Sequence, residues 1–335
     1  CGTHSICCLG QKASGRIITS LPQPPTCGGF DSNEKILGGS ETGLYEFPWL
    51  VLLEYRKQNE YELTFNCAGS LINHRYVLTA AHCLYREHLR GIGDLVSVRL
   101  GEYDTRTDED CSDFGGKCAP KYQRFGVEEI RIHEGFRGMH GSREHDIGLI
   151  RLNQNVVYSD NIQPICLPST DHFEGRYHGQ PFIVAGWGRT STSESSPTKQ
   201  KVKVKYVDAN KCRRKYEQKN IFLQSTQLCA GQYQKDSCKG DSGGPLMQFR
   251  GGVWVLEGIV SFGKGCGQWK WPGVYTDVAA YNTWIRENIV AKDGDYVDIM
   301  VDPLHSDNWN SQARDNEANR ESSEEENNLY YRIKE

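Results

Sequence analysis

The chain has 335 residues and a formal net charge of -4 at pH 7, which suits one large β domain with appendages or two domains and carries no sign of a nucleic-acid partner. Its 13 cysteines exclude a reduced cytosolic enzyme unless they bind metal, and without a Cys-x-x-Cys pair an oxidised, secreted context is expected in place of zinc. No apolar run reaches the roughly 18 residues of a membrane-spanning helix, and the chain opens at Cys1 without an initiator Met or signal peptide, so a secreted protein is expected to be truncated or processed here.

Residues 1–34 are loop-like and dense in Cys, Gly and Pro, with Cys7-Cys8 and Leu21-Pro22-Gln23-Pro24-Pro25. Such a stretch builds no core and is expected to be stapled or extended. From Ile36 the pattern changes to short β-prone runs separated by turns, at 49–55, 76–79, 96–100, 147–152, 182–185, 201–207 and 253–262. Many short strands without helical periodicity between them predict an all-β sandwich or a pair of barrels. One helix is predicted after them, where Val278, Tyr281, Trp284, Ile285 and Ile289 recur at helical spacing and form one apolar face. Residues 291–335 hold 12 Asp or Glu against 5 Lys or Arg, with Ser-Ser-Glu-Glu-Glu near the end. This segment reads as an acidic disordered tail, either merely solvated or covering a basic surface.

Candidate chemistry concentrates in Asp236-Ser237-Cys238-Lys239-Gly240-Asp241-Ser242-Gly243-Gly244-Pro245. A serine hydroxyl attacks a carbonyl only if a neighbouring base takes its proton and backbone N–H groups receive the oxyanion. Glycine beside the serine lets the backbone approach. Gly, Asp and Ser equally suit a plain surface turn, so the segment needs partners elsewhere. The base for Ser242 would be a histidine oriented by a buried carboxylate. Among 10 histidines, His82 in Leu78-Thr79-Ala80-Ala81-His82-Cys83 directly follows a predicted strand. Asp146 in His145-Asp146-Ile147-Gly148-Leu149-Ile150 precedes another, where burial costs several kcal/mol unless the carboxylate is paired. A histidine N–H would satisfy it.

Thr79-Ala80-Ala81-His82-Cys83, Asp146-Ile147-Gly148-Leu149 and Gly240-Asp241-Ser242-Gly243-Gly244-Pro245, in the order His, Asp, Ser, resemble the trypsin/chymotrypsin family of serine proteases over residues 36–290. The resemblance implies an all-β fold of two six-stranded antiparallel barrels with a C-terminal helix. It makes Ser242 the nucleophile, His82 the general base and then acid, and Asp146 the orienter, with the N–H groups of Gly240 and Ser242 as oxyanion hole. Asp236 and Ser237 match the floor of the primary pocket, and Gly263 and Gly273 its walls, which implies cleavage after Arg or Lys. Phe262 stands where the family usually has Trp. No cofactor is implied for catalysis.

The same resemblance implies the pairs Cys67–Cys83, Cys212–Cys229 and Cys238–Cys266, a tether Cys27–Cys166, and closure of Cys111 on Cys118. Glu34-Lys35-Ile36-Leu37-Gly38-Gly39 looks like an activation site, cut between Lys35 and Ile36, whose new ammonium would pair with Asp241. Cys1, Cys7 and Cys8, followed by a Pro-rich stretch, resemble the C-terminal part of a clip domain. Expected boundaries are therefore 1–8 for a truncated clip domain, 9–35 for the linker or light chain, 36–290 for the protease and 291–335 for the tail. Clip-domain proteases are extracellular arthropod zymogens of melanisation or Toll-ligand cascades. That implies a haemolymph protein with a downstream zymogen or pro-ligand as substrate, an upstream activating protease and a serpin inhibitor. A digestive trypsin and a non-catalytic clip-domain homologue are the alternatives. Finally, Gly101-Glu102-Tyr103-Asp104-Thr105-Arg106-Thr107-Asp108-Glu109-Asp110 is crowded with oxygen donors. Calcium takes six to eight such oxygens, and the resemblance points to Glu102, Asp104, Thr107 and Asp110; a solvated acidic loop is the competing reading.

Overall fold

The computed structural model describes residues 16–17, 20–29, 40–111, 116, 118–139, 143–169, 177, 181–188, 193, 195–231, 240–263, 271–292 and 296–297. In chain order the strands are β1 (Arg16–Ile17), β2 (Ser40–Glu41), β3 (Leu50–Arg56), β4 (Thr64–Leu71), β5 (Tyr76–Thr79), β6 (Asp94–Leu100), β7 (Gln123–Ile132), β8 (Gly148–Leu152), β9 (Pro181–Gly186), β10 (Gln200–Tyr206), β11 (Gln227–Gly231), β12 (Pro245–Arg250), β13 (Val253–Phe262), β14 (Gly273–Asp277) and β15 (Tyr296–Val297). Helices are α1 (Arg86–Ile92), α2 (Ala209–Glu217) and α3 (Asn282–Asn288), with 3-10 turns at Ala81–Cys83 and Val278–Tyr281. Two compact units result, Ile18–Asp295 and a second of Cys1–Ile17 with Tyr296–Glu335. In the second, β1 and β15 pair antiparallel, Arg16 opposite Val297. The clip-like segment 1–8 and the tail beyond Val297 lie outside the described residues.

Strands β3-β4-β5-β8-β7-β6 form a closed barrel. The second sheet runs β11-β14-β13-β12-β9-β10 and closes by pairing β10 with β11, Lys205 opposite Gly231. Strand β2 adds to the start of β10, Ser40 opposite Lys201. These are the two six-stranded antiparallel barrels that the resemblance implied.

Burial explains which runs were legible. β3 is buried at six of its seven residues, and β5 and β8 throughout. Their side chains join Ile183, Met247, Trp254 and Leu256 of the second barrel and Val278, Trp284 and Ile285 near the C-terminal helix in one core cluster. Strands covered on both faces read as continuous apolar runs. β10 has a wet face instead: Val202, Val204 and Tyr206 pack into the second barrel while Lys203 and Lys205 are exposed.

The structure adds two helices to the one expected. α1 buries no residue. α2 is capped by the Asp208 carboxylate, which accepts Lys211 N–H at 2.9 Å, and buries only Cys212 and Tyr216. The expected C-terminal helix begins as a 3-10 turn, with the Asp277 side chain accepting Ala279 N–H, and becomes α-helical only from Asn282. Lys292, in the stretch expected as tail, pairs with Glu128 at 2.8 Å and Glu129 at 3.0 Å.

Candidate active site

His82 rides on the 3-10 turn directly beyond β5, and Asp146 precedes β8. Those strands pair with Thr79 opposite Gly148, so the chain leaves one and enters the other at the same barrel end. Both side chains are sealed from solvent, His82 at 3% exposure and Asp146 at 1%. The His82 backbone N–H donates to Asp146 Oδ1 at 2.9 Å, and His82 Nδ1 lies 2.8 Å from Oδ2. The second barrel completes the cradle. Ser261 Oγ on β13 donates to Oδ2 at 2.5 Å, and Thr276 Oγ1 on β14 donates to the Asp146 carbonyl at 2.8 Å.

Burial pushes the Asp146 pKa up, but the charge of His82 and the hydrogen bonds from His82 and Ser261 outweigh it, holding the carboxyl below the usual aspartate range. An ionised carboxylate only accepts, so Nδ1 carries the imidazole proton and Nε2 is left as the basic nitrogen. The disulfide Cys67–Cys83 (S–S 2.06 Å) ties the histidine turn to β4. Cys67, His82 and Cys83 cluster closely enough for a metal, but the two sulfurs are bonded to each other and offer no thiolate pair.

Ser242 lies in a turn between Gly240 (φ 100°) and Gly243 (φ 78°), both in the left-handed region that favours glycine. A Cβ on Gly243 would run into Thr79 Oγ1 and the Ala68 carbonyl, so glycine lets this turn sit against the strand end that leads to His82. The turn is sewn to both barrels. Ser242 O accepts Ala68 N–H at 2.8 Å, and Gly243 N–H donates to Val260 O at 2.9 Å. Among the described residues, neither Ser242 Oγ nor the N–H groups of Gly240 and Ser242 have a protein partner. The preceding Asp241 presents Oδ1 to Gly188 N–H at 2.9 Å.

Residues 36–285 match the family model described as Trypsin. The chain belongs to the trypsin family. It is similar to the CLIP domain-containing serine protease B9 of Anopheles gambiae, 47% identical over 84% of this chain and 69% of that one. It is also similar to the phenoloxidase-activating factor 1 of Holotrichia diomphalia, 45% identical over 86% of this chain and 81% of that one. Among solved structures, the Drosophila Grass clip serine protease of the Toll pathway matches with TM-score 0.65 and 39% identity, covering 77% of this chain and 73% of that one. Within the trypsin family the chain therefore sits with the arthropod clip-domain proteases.

For the remaining trypsin-like features, Gly263 is exposed at the end of β13 and Gly273 is buried at the start of β14. The Phe262 ring meets Tyr216 edge-on at 5.8 Å and lies 4.7 Å from the Arg143 guanidinium. Asp236, Ser237, the pair Cys238–Cys266, and Lys35 with Ile36 lie outside the described residues, as do Cys1, Cys7 and Cys8. Disulfides join Cys27–Cys166, Cys111–Cys118 and Cys212–Cys229.

The acidic loop is not a solvated one at its key positions: Glu102 and Asp110 are buried at 2% and 7% exposure, whereas Asp108 and Glu109 are exposed. Glu102 Oε1 and Asp110 Oδ2 both accept Tyr103 N–H at 3.0 Å. Two carboxylates converging on one donor suit a hard cation. Thr107 Oγ1 donates to Asp110 Oδ1 at 2.6 Å, and the Asp104 carbonyl accepts Thr107 N–H at 3.0 Å while its carboxylate is clamped by Arg106. Buried Lys199 stands nearby, its ammonium pulled down to about 8 by burial against the attraction of Glu46, Asp110 and Glu102.

Ser261 and Thr276 escaped the sequence reading. Their one sign in sequence was position: Ser261 precedes Phe262-Gly263 and Thr276 follows Gly273-Val274-Tyr275, stretches already assigned to the pocket wall.

Proposed function

We propose that this chain is a secreted serine endopeptidase zymogen that hydrolyses peptide bonds after Arg or Lys in an extracellular cascade. The observation that supports it best is the buried His82–Asp146 pair, closed by Ser261 and set beside the Ser242 turn. In this reading Ser242 Oγ bonds to the substrate carbonyl carbon while His82 Nε2 takes its proton. The oxyanion enters the N–H groups of Gly240 and Ser242, where losing one donor costs about 3 kcal/mol of transition-state stabilisation. As the C–N bond breaks, His82 returns the proton to the leaving amine. Water then hydrolyses the acyl-enzyme by the same route. Asp146 stabilises the imidazolium without being protonated, in keeping with its lowered pKa.

Asp236 and Ser237 would form the floor of the pocket and Gly263 and Gly273 its walls, leaving room for a long cationic side chain. Cleavage between Lys35 and Ile36 would activate the zymogen, the ammonium of Ile36 pairing with Asp241 and ordering Gly240–Ser242. The bridge Cys27–Cys166 would keep the light chain attached. Trypsin-like catalysis needs no cofactor. The carboxylates of Glu102 and Asp110, with carbonyls of Asp104 and Thr107, would hold calcium, which supplies loop stability and no chemistry. A relative named as a phenoloxidase-activating factor and one of the Toll pathway support a cascade role. The substrate would be a downstream zymogen or pro-ligand, with an upstream protease as activator and a serpin as inhibitor.

The test is amidase activity on Arg- and Lys-terminated chromogenic peptides after cleavage at Lys35, expected in the parent protein and abolished by Ser242→Ala. No turnover by cleaved, disulfide-intact protein would overturn the reading.

A further inference from the structure

Asp146 is preceded by a residue in an unusual conformation. His145 sits in the left-handed region at φ 57°, where a side chain other than glycine is strained unless its surroundings hold it. The holding contacts are visible. The His145 ring lies parallel to that of His133, centroids 4.5 Å apart and planes within 3°. Tyr281 abuts both rings edge-on, at 5.3 Å from His133 and 5.9 Å from His145, and its hydroxyl is 3.0 Å from His145 Nδ1. Gly135 closes the stack: a Cβ there would lie 2.5 Å from His145 Cδ2. Its N–H donates to His133 Nδ1 at 3.0 Å. The backbone is tied in as well, with Ile147 N–H donating to His145 O at 2.8 Å and His133 N–H to Ile147 O at 3.1 Å.

We infer that His133 and Tyr281 are positioning residues for Asp146, acting through His145: the ring stack and the Tyr281 hydroxyl hold His145 in its strained conformation and so aim the Asp146 carboxylate at His82. The inference rests on the proposed reading, in which that carboxylate serves the Ser242–His82 pair.

The stack is also sensitive to charge. Face-to-face rings tolerate neutral imidazoles and oppose a pair of imidazolium ions. Burial draws the His133 pKa below the usual histidine value against the opposing charge of Glu134, and the charge of His145 adds a smaller push in the same direction as burial. The other charged and titratable groups around the pair are Glu144, whose Oε1 is 3.9 Å from His145 Nε2, Arg143 and Asp146 beside His145 in the chain, and Tyr281. Trp284 lies 5.2 Å from His133 and donates to Glu134 Oε2 at 3.0 Å, which keeps that carboxylate partly engaged.

Two measurements on the full chain test this. In the cleaved protein, the acid limb of kcat/KM against pH on an Arg chromogenic peptide should steepen from one proton to two below the His133 titration. His133→Phe, which keeps a stacking ring and cannot titrate, should lose the steepening. Tyr281→Phe, which removes one oxygen, should lower kcat on the order of tenfold with KM retained. An acid limb identical in parent and His133→Phe, or an unchanged kcat in Tyr281→Phe, overturns the inference. The second measurement needs no turnover: the low-field proton resonance of His82 Nδ1–H, read in the Ser242→Ala background, should shift on adding Tyr281→Phe or His145→Ala. An unmoved resonance overturns the positioning role. Inactive parent protein with a shifted resonance overturns the proposed function and leaves the positioning intact.

Discussion

Two of the buried charge clusters among the described residues, one around Glu54 and one around Asp146, are built to opposite ends. In the first barrel Glu54, wholly buried, has both oxygens taken: Oε1 by Arg99 Nη2 at 2.7 Å and Arg124 Nη2 at 3.0 Å, Oε2 by Ser97 Oγ at 2.6 Å and Arg124 Nε at 2.6 Å. Burial pushes its pKa up, yet hydrogen bonds from Arg124, Ser97 and Arg99 bring it below the usual glutamate value. The His82–Asp146 pair is as deeply sealed, and its carboxylate as fully bonded. Its far end differs. Among the described residues, Ser242 Oγ and the amides of Gly240 and Ser242 have no protein partner, and His82 Nε2 meets only the disulfide sulfur of Cys83 at 3.7 Å. In the proposed reading, burial of charge serves structure at Glu54 and function at Asp146 alike, and what separates them is whether the network ends on an open atom.

The sharpest way to break that comparison is Asp146→Asn. The amide removes the charge that stabilises the imidazolium and allows the wrong tautomer, so kcat is expected to fall about 10⁴-fold with the fold retained. Steady-state kinetics beside a thermal melt check it; a variant with near-normal kcat would place Asp146 with Glu54 as a purely structural acid. The converse is Glu54→Gln, which leaves Arg99 and Arg124 short of a partner. A loss of about 3 to 5 kcal/mol in unfolding free energy is expected, with kcat of the folded fraction retained. Because the folded Glu54 pKa lies below its ordinary 4.5, its contribution is fully present above that pH and is lost as pH falls through the folded value. The acid limb of stability should therefore be shallower in Glu54→Gln, and a denaturant titration at pH 7 and below pH 4.5 reads both effects.

The contrast also explains what the sequence could reveal. Strands β3, β8 and β13 were legible because continuous burial selects β-branched and large apolar side chains. β4 was not: its Thr-Phe-Asn-Cys-Ala-Gly-Ser-Leu is small-residued because neighbours crowd it, a Cβ on Gly69 coming within 2.7 Å of Val77 Cγ1. α2 was hidden by its five Lys, Arg and Glu residues around only two buried positions, Cys212 and Tyr216. At the candidate site, His82, Asp146 and Ser242 sit in local motifs, which is why the sequence singles them out as candidates. Ser261 acts on Asp146 across 115 residues, and a hydroxyl that completes a cradle at that separation leaves no local signature. Tyr281 shares that disadvantage, reaching His145 across 136 residues, and His133 stacks on His145 only once β7 has paired with β8.

The smallest expected effect concerns the margin of the structural cluster, where Glu102 and Asp110 converge on the single N–H of Tyr103. Arg99 Nη1 holds Glu102 Oε2 at 2.6 Å, and Thr107 Oγ1 holds Asp110 Oδ1 at 2.6 Å, so each carboxylate is anchored while facing the other. A divalent ion held between them would relieve their repulsion; at 100-fold above its dissociation constant it would add about 2.7 kcal/mol to folding. The protein is expected to melt a few degrees higher in millimolar calcium than in chelator, a shift of the size that such a free energy gives for a domain this large. Asp110→Asn should reduce the shift, and Glu54→Gln, one layer deeper in the same cluster, should lower both melts together. Coincident melts of the parent protein would show that Arg99 and Lys199 already neutralise the loop, joining it to the fully satisfied kind of cluster that Glu54 exemplifies.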